Sequence, residues 1–362
     1  MIALDMHDPA HPKQTATLTS PAMLSPHESL LLNQRRGLLA AVMGSPTTQV
    51  GILDVYDVRS DCRHPKLLSS TTEAVLGHES GWSPDGRTFW ASSAAYSLAA
   101  IDLTDPRHPR RIFFQTGVQY HGMRVSGDGN TLYVADLGTQ AEGALQHKGL
   151  RILDVSQVQQ SRANPRIRIV ADLTWPGISI PQVAEPFTKN GHRYLLEVDE
   201  YADSRSGLDP RQAPVGGARI INVDDPAKPY VVSNLRLAVH EKANRQADLW
   251  LDPGAAIPVQ GYAGHYCSLP TRDNPKLVAC SMIASGLRLF DIRDLRHPRE
   301  SGYFNKPYVP LSNPTASPTA EGGFAMSQPA WDVAHRSVWF TDGNSGFYDV
   351  RLTNGLQRLL LP

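Results

Sequence analysis

Residues 97–114, SLAAIDLTDPRHPRRIFF, read as strand, tight turn, strand. Leu98, Ala100 and the apolar run to Leu103 supply the first strand. Asp105-Pro106 opens the turn, because proline presets φ and aspartate can bond its own backbone. Pro109 then restricts the entry to a second strand at 111–114. The same unit recurs at 2–17 (IALDMHDPAHPKQTAT), 51–68 (GILDVYDVRSDCRHPKLL), 150–170, 218–232 (ARIINVDDPAKPYVV), 286–304 (GLRLFDIRDLRHPRESGYF) and 346–360. Its anchors are Asp5, Asp54, Asp102, Asp154, Asn222, Asp291 and Asp349. A period of roughly 50 residues built only of strands is the signature of a propeller rather than a helical solenoid.

Between successive units lies a hairpin. It starts at His27, His78, His121, Gln182, His265 and Gln328. Ser83-Pro84-Asp85-Gly86, Gly127-Asp128-Gly129-Asn130 and Lys189-Asn190-Gly191 are strong turn signals. Hairpin plus unit makes a four-stranded blade. The expected fold is therefore an all-β propeller in one domain, with blades at 27–70, 78–115, 121–173, 181–236, 265–304 and 328–360. The segment 1–18 reads as the outer half of an incomplete blade in a seven-bladed type, and 346–360 is expected to carry its own outer strands. Short helices are expected only at 155–162 and 239–247.

The chain has 362 residues and a formal net charge of zero, with basic residues scattered along it. Nothing in that pattern points to a nucleic-acid groove or an anionic membrane surface. No stretch approaches the roughly 20 apolar residues of a membrane span. Of three cysteines, Cys267 and Cys280 flank one turn, HYCSLPTRDNPKLVACS. Opposite one another in an antiparallel pair they can bridge, which contributes about 3 kcal/mol in the chain-entropy model; two buried free thiols are the other reading. Cys62 has no partner here. Strand IAL follows Met1 directly. The expectation is an upstream segment with an export signal, two further strands and a cysteine for Cys62.

The strand-turn unit, seen in IALDMHDPAHP, GILDVYDV, AAIDLTDPRHP, LRILDV and LRLFDIRDLRHP, resembles the LVIVD-repeat β-propeller family. The resemblance spans essentially the whole chain. The strings TSPAML, GHESGW, EVDEY, GYAGHYC, GLRLFDIRDLRHP and TDGNSGFYDVRL look like one bacterial branch of it. The resemblance implies a commonly exported protein, periplasmic or extracellular at full length, and no particular activity. The inner-strand histidines are similar in placement to those of the selenium-binding protein and methanethiol oxidase propellers, with no residue carried over. The truncated start and the weak units INVDDP and YDVRLTNG depart from the repeat.

Propeller geometry sorts the polar residues. His7, His11, His64, His108, His297, His192 and His335 fall at turns of one face and read as solvated turn residues. His27, His78, His121 and His265 each open a first strand on the opposite face, beside the axis. Two are followed by the same residues, His27-Glu28-Ser29 and His78-Glu79-Ser80. Asp136, Asp199, Glu200 and Asp342 add carboxylates in loops of that face, as ligand-binding candidates, and the long loops 137–149, 201–217 and 236–264 gather there. Converging imidazoles suit a divalent transition metal, with zinc, copper, iron and manganese not distinguished. Glu28 and Glu79 are candidates for a ligand, a histidine-orienting carboxylate or a catalytic acid/base. The competing reading is a structural plug of hydrogen-bonded histidines. Trp82, Trp90, Trp331 and Trp339 read as packing between blades. No nucleophile elbow, phosphate loop or CxxC is present. Three functions remain open: a small-ligand binder with a metal in the axial funnel, a metal-dependent oxidase or lyase, and a protein-interaction scaffold.

Overall fold

The computed structural model describes residues 1–44, 50–94, 96–138, 140–141, 144–145, 147–202, 214–244, 261–306 and 323–360. Most of the long loops 201–217 and 236–264, and parts of 137–149, lie outside them. The fold is an all-β propeller with six blades, and the chain divides into two compact units, Met1–Asp172 and Leu173–Pro362.

In the first unit, β1 (Ile2–Asp5) pairs with β2 (Lys13–Thr17), and the single-turn helix α1 (Pro21–Leu24) follows. The first blade is β3 (Leu31–Asn33), β4 (Leu38–Val42), β5 (Leu53–Asp57) and β6 (Lys66–Thr71). The second is β7 (Glu79–Trp82), β8 (Thr88–Ser93), β9 (Ser97–Asp102) and β10 (Arg110–Thr116). The third begins with β11 (Tyr120–Val125) and β12 (Thr131–Asp136). A two-stranded excursion, β13 (Gln140–Ala141) and β14 (Ala144–Leu145), interrupts it before β15 (Gly149–Asp154) and β16 (Arg168–Leu173). One turn of helix, α2 (Ser156–Gln159), sits inside the expected 155–162.

Side chains alternate across each strand, and neighbouring blades share the two faces. Phe89, Ala91, Ala99 and Ile101 of the second blade pack on Leu38, Ala40, Val42, Leu53 and Val55 of the first. Their sequence neighbours Trp90, Leu98 and Ala100 pack instead on Met123, Val125, Leu132, Val134 and Leu153 of the third. Middle strands are thus buried on both faces, which is why β8 and β9 read as almost continuous small and apolar runs. Outer β10 is half exposed. Gly81 on β7 is needed for this stacking, since a Cβ there would meet the Met123 side chain at 3.0 Å.

The second unit repeats the pattern. Its first blade is β17 (Ile180–Lys189), β18 (His192–Glu200), β19 (Ala218–Asn222) and β20 (Tyr230–Leu235). The next is β21 (Tyr266–Ser268), β22 (Leu277–Ser281), β23 (Leu287–Asp291) and β24 (Arg299–Phe304). The last has β25 (Ala330–Asp332), β26 (Ser337–Asp342) and β27 (Gly346–Arg351) as paired strands. There the structure differs from the expected outer strand pair: residues Leu356–Leu360 coil into a 3-10 helix whose Leu356, Leu359 and Leu360 cover the Leu289–Phe340 core. The expected helix at 239–247 is two 3-10 turns, Ala238–His240 and Lys242–Asn244, within the described residues.

Asp102, Asp154 and Asp291 end the third strand of their blades and cap the turn, whereas Asp349 lies inside β27, two residues before its end. The Asp102 carboxylate accepts from the Thr104 N–H at 2.8 Å, and Asp291 from Arg293 N–H at 3.0 Å. In the second copy, however, that role belongs to Asp57, which accepts from Arg59 N–H at 2.8 Å. Asp54 lies three residues too early and is buried, accepting from the Ala22 N–H of α1 at 2.8 Å. The GILDVYDV string holds two aspartates with the same apolar flank, and pattern alone picked the wrong one. Through this bond and the packing of Leu18, Ala22 and Met23 on Ala41 and Tyr56, the N-terminal pair and α1 are seated on the first blade.

Candidate metal centre

The blade stacking of the first unit draws the entries to β3, β7 and β11 together. His78 immediately precedes β7, and His121 is the second residue of β11. His27 does not open a strand, as expected, but lies in the turn before β3 with φ +47°, a left-handed conformation uncommon for a residue with a side chain. Its ring sits 4.2 Å from the His78 ring.

The repeated His-Glu-Ser string now has a structural meaning. In each copy the glutamate reaches forward to the histidine of the next blade. Glu28 Oε2 lies 3.2 Å from His78 Nε2, and Glu79 Oε2 lies 3.2 Å from His121 Nδ1. The serines tie the backbone behind them: Ser29 Oγ donates to Val42 O at 2.7 Å, and Ser80 Oγ donates to Ser29 O.

The two glutamates differ in what else they touch. Glu79 is buried, at 1% exposure, and Arg124 Nη1 lies 3.4 Å from its Oε1. Arg124 is held in turn by donating to Met123 O at 2.8 Å and Ser80 O at 3.2 Å. Glu28 Oε2 instead faces three imidazoles, at 3.2 Å from His78 Nε2, 3.5 Å from His121 Nε2 and 3.4 Å from His27 Nδ1.

The hydrogen bonds behind the rings set their tautomers. His78 Nδ1 lies 3.3 Å from Gly44 O, a group that only accepts, so Nδ1 carries the hydrogen. His121 Nδ1 faces the Glu79 carboxylate, which assigns its hydrogen to Nδ1 as well. His78 Nε2 and His121 Nε2 lie 3.0 Å apart, and Glu28 Oε2 lies 3.2 and 3.5 Å from them. Three such atoms at these separations can share a proton or hold a cation between them. Ligands about 2.0–2.1 Å from a tetrahedral zinc are about 3.3 Å apart, so the set matches one face of such a tetrahedron. Burial first, and then the neighbouring His121, hold His78 below the usual histidine pKa against the opposing pull of Glu28. A neutral imidazole is the form that binds a metal.

The other candidates are placed as follows. Asp136 ends β12 and pairs with Arg151 at 2.9 Å and His147 at 3.2 Å. Asp342 organises its own loop, accepting from the Phe324, Asn344 and Ser345 N–H groups at 2.5, 2.9 and 3.0 Å. In the second unit His265 precedes β21; its Nε2 lies 3.3 Å from Glu200 Oε2, and Tyr201 stacks on it at 5.6 Å. Asp199 belongs to a buried cluster. It pairs with Arg219 at 2.8 Å and accepts from Trp175 Nε1 at 3.0 Å and Ser179 N–H at 3.2 Å. Arg219 also pairs with Glu197, and its guanidinium lies 4.0 Å from the centre of the Trp175 ring. Burial, against the opposing pull of Arg219, raises the Glu197 pKa well above the usual carboxylate range; neighbouring Asp199 adds to the rise. Cys267 and Cys280 are register partners across β21 and β22 and are joined by a disulfide. Cys62 is exposed and unbridged. His11, His64, His108 and His297 each bond the aspartate three residues earlier, at 2.8–2.9 Å, on exposed turns. Arg124 and Arg219 were missed as site residues; for Arg219 the available signal was a charge within the otherwise apolar start of ARIIN.

No family model matches the sequence, and no curated protein does. Solved structures do share the fold. A Bacteroides fragilis protein assigned as a 6-phosphogluconolactonase matches with TM-score 0.55 and 11% identity, covering 94% of this chain and 86% of that one. The periplasmic gluconolactonase PpgL of Pseudomonas aeruginosa matches with TM-score 0.54 and 15% identity, over 94% and 88% of the two chains. Saccharomyces cerevisiae Sqt1 matches with TM-score 0.50 and 9% identity, over 91% and 76%. These likenesses establish the propeller fold. No helix among the described residues is long and apolar enough to cross a membrane.

Proposed function

We propose that this protein is an LVIVD-type propeller whose first unit holds a divalent transition metal on His78 Nε2, His121 Nε2 and Glu28 Oε2, with His27 at the open edge. The observation that carries this reading is the convergence of three possible ligand atoms, His78 Nε2, His121 Nε2 and Glu28 Oε2, within 3.5 Å of one another, with both rings oriented by contacts at Nδ1. Glu79 is assigned as the residue that orients His121, since Arg124 and burial hold it in place. It is thereby removed as a mobile acid/base. A metal in this setting supplies Lewis acidity toward an oxygen-bearing ligand. Glu28 and His27 are the groups placed to bind or orient that ligand, and His27, whose side chain is 32% exposed, is the one in reach of solvent.

A metal-dependent hydrolase is the second reading, favoured by one observation: solved structures that share the fold include a gluconolactonase. A lactone carbonyl is the oxygen-bearing group such a site would polarise. The Cys267–Cys280 disulfide supports an oxidising compartment, periplasmic or extracellular, for the protein. The test is metal analysis of protein made without a histidine tag, before and after reconstitution with zinc, manganese, iron and copper. His121→Ala is expected to lose binding by more than 100-fold while retaining the strand-rich circular dichroism of the parent. Metal retained unchanged in that variant would refute the assignment.

A further inference from the structure

Away from the metal centre, and independent of it, the first unit carries a basic cleft. Its volume is about 550 Å³, and Arg35, Arg36, Arg59, Arg87, Asp85 and Thr104 line it. Four guanidiniums against one carboxylate leave three formal positive charges in a chain whose net charge is zero. The cleft is built by four turns of two adjacent blades: β3–β4, β5–β6, β7–β8 and β9–β10.

Arg36 and Arg59 are positioned by backbone carbonyls. Arg36 Nη1 donates to Gly86 O at 2.8 Å and Leu103 O at 2.5 Å, and its Nη2 to Thr104 O at 3.1 Å, which fixes a charge between the blades. Arg59 Nη2 donates to Arg35 O. Asp85 is committed to its own turn, accepting from Ser83 Oγ at 2.6 Å and Arg87 N–H at 3.0 Å; Arg87 Nε lies 3.9 Å from its other oxygen. Among the described residues, no carboxylate lies within ion-pair distance of Arg35 or Arg36, while Arg59 acts at longer range on Asp57, whose carboxylate accepts from the Ser60 hydroxyl and the Arg59 N–H. Two glycines at positive φ make room for this packing. A Cβ on Gly37 (φ +63°) would lie 2.4 Å from the Arg59 Cβ, and one on Gly86 (φ +69°) would lie 2.9 Å from the Arg36 Cδ.

We infer that this cleft binds a small tetrahedral oxyanion ester, a phosphate monoester (dianionic) or a sulfate ester (monoanionic). Arg36 supplies a fixed charge at the back of the cleft, and the exposed guanidiniums of Arg35, Arg59 and Arg87 can turn their donors to a tetrahedral oxyanion. The volume lies in the range of small-molecule sites, roughly 300–1,000 Å³. The basic residues outside it are scattered, so no continuous stripe offers itself to a polyanion.

Calorimetry on the purified protein tests this, with inorganic phosphate, inorganic sulfate, glucose 1-phosphate and glucose as probes. Saturable binding of the charged probes at low salt is expected, weakening as salt rises, with none for glucose. Arg35→Gln and Arg59→Gln should each weaken it about 10- to 100-fold, the loss of one charge-assisted contact. Their double variant should abolish it and leave metal content unchanged, which separates this cleft from the metal centre. Absence of binding by any charged probe, or binding unchanged in the double variant, overturns the inference. So does binding to phosphatidylglycerol vesicles without binding of the soluble esters, which would make the patch a membrane contact.

Discussion

Glu28 and Glu79 stand in the same string, His-Glu-Ser, yet the structure gives them different partners. Both reach the histidine of the following blade, but Arg124 holds Glu79 from behind, while Glu28 faces three imidazoles. The repeat was legible in the sequence; the asymmetry was not, because it depends on Arg124, forty-five residues further along the chain from Glu79. The two variants should therefore separate. Glu28→Gln removes a ligand charge and should abolish metal binding at micromolar metal. Glu79→Gln loosens only the orientation of His121 and should weaken binding about 10- to 100-fold, by competition titration against a chelator. Equal losses would contradict the assignment. In the second unit, the raised Glu197 pKa carries a sign. The folded state keeps the proton that the unfolded chain releases, so this residue's contribution falls as pH rises above the unfolded carboxylate pKa toward the folded one. Glu197→Gln should flatten that part of the urea-stability profile against pH. Arg219→Met, which strands Asp199 in the core, should cost about 3–5 kcal/mol.

At the scale of elements, the blade is a device that buries two faces of a strand at once. Trp90 faces one neighbour and Phe89 the other, so both are fully buried although adjacent in sequence. That period was visible in the sequence, together with the turn chemistry, and it was enough for the order of hairpins and units. It was insufficient for register in GILDVYDV, where Asp54 and Asp57 share an apolar flank and only contact with α1 tells them apart. It was insufficient too at the C-terminus, where LQRLL has the apolar content of an edge strand and coils instead to cover the core. The disulfide closes a separation of 13 residues between paired strands. Replacing Cys267 and Cys280 by alanine together should lower unfolding free energy by about 3 kcal/mol, read from denaturant midpoints with unchanged slope. A change below about 0.5 kcal/mol would show that the native strand pairing needs no crosslink.

At the scale of the molecule, shared architecture says little about chemistry: proteins at 9–15% identity adopt this fold, among them a gluconolactonase. Function must come from the sites, and the first unit carries two of opposite character. One gathers imidazoles and a carboxylate that could hold a cation, and the other, by our inference, gathers guanidiniums for an anion. The histidines were legible as candidates because hairpin order places His78, His121 and His265 at the start of first strands and because His-Glu-Ser recurs at 27–29 and 78–80. The arginine cleft was not, because its members come from four turns and each alone reads as a solvated residue. The metal centre is the claim on which the functional account rests, and elemental analysis of tag-free protein tests it most directly. After dialysis against micromolar zinc or manganese and removal of free ion, the account predicts close to one metal per chain in the parent and background levels in His121→Ala. Background levels in the folded parent with every transition metal tried would contradict it, and would leave the imidazole cluster as a proton-sharing structural plug.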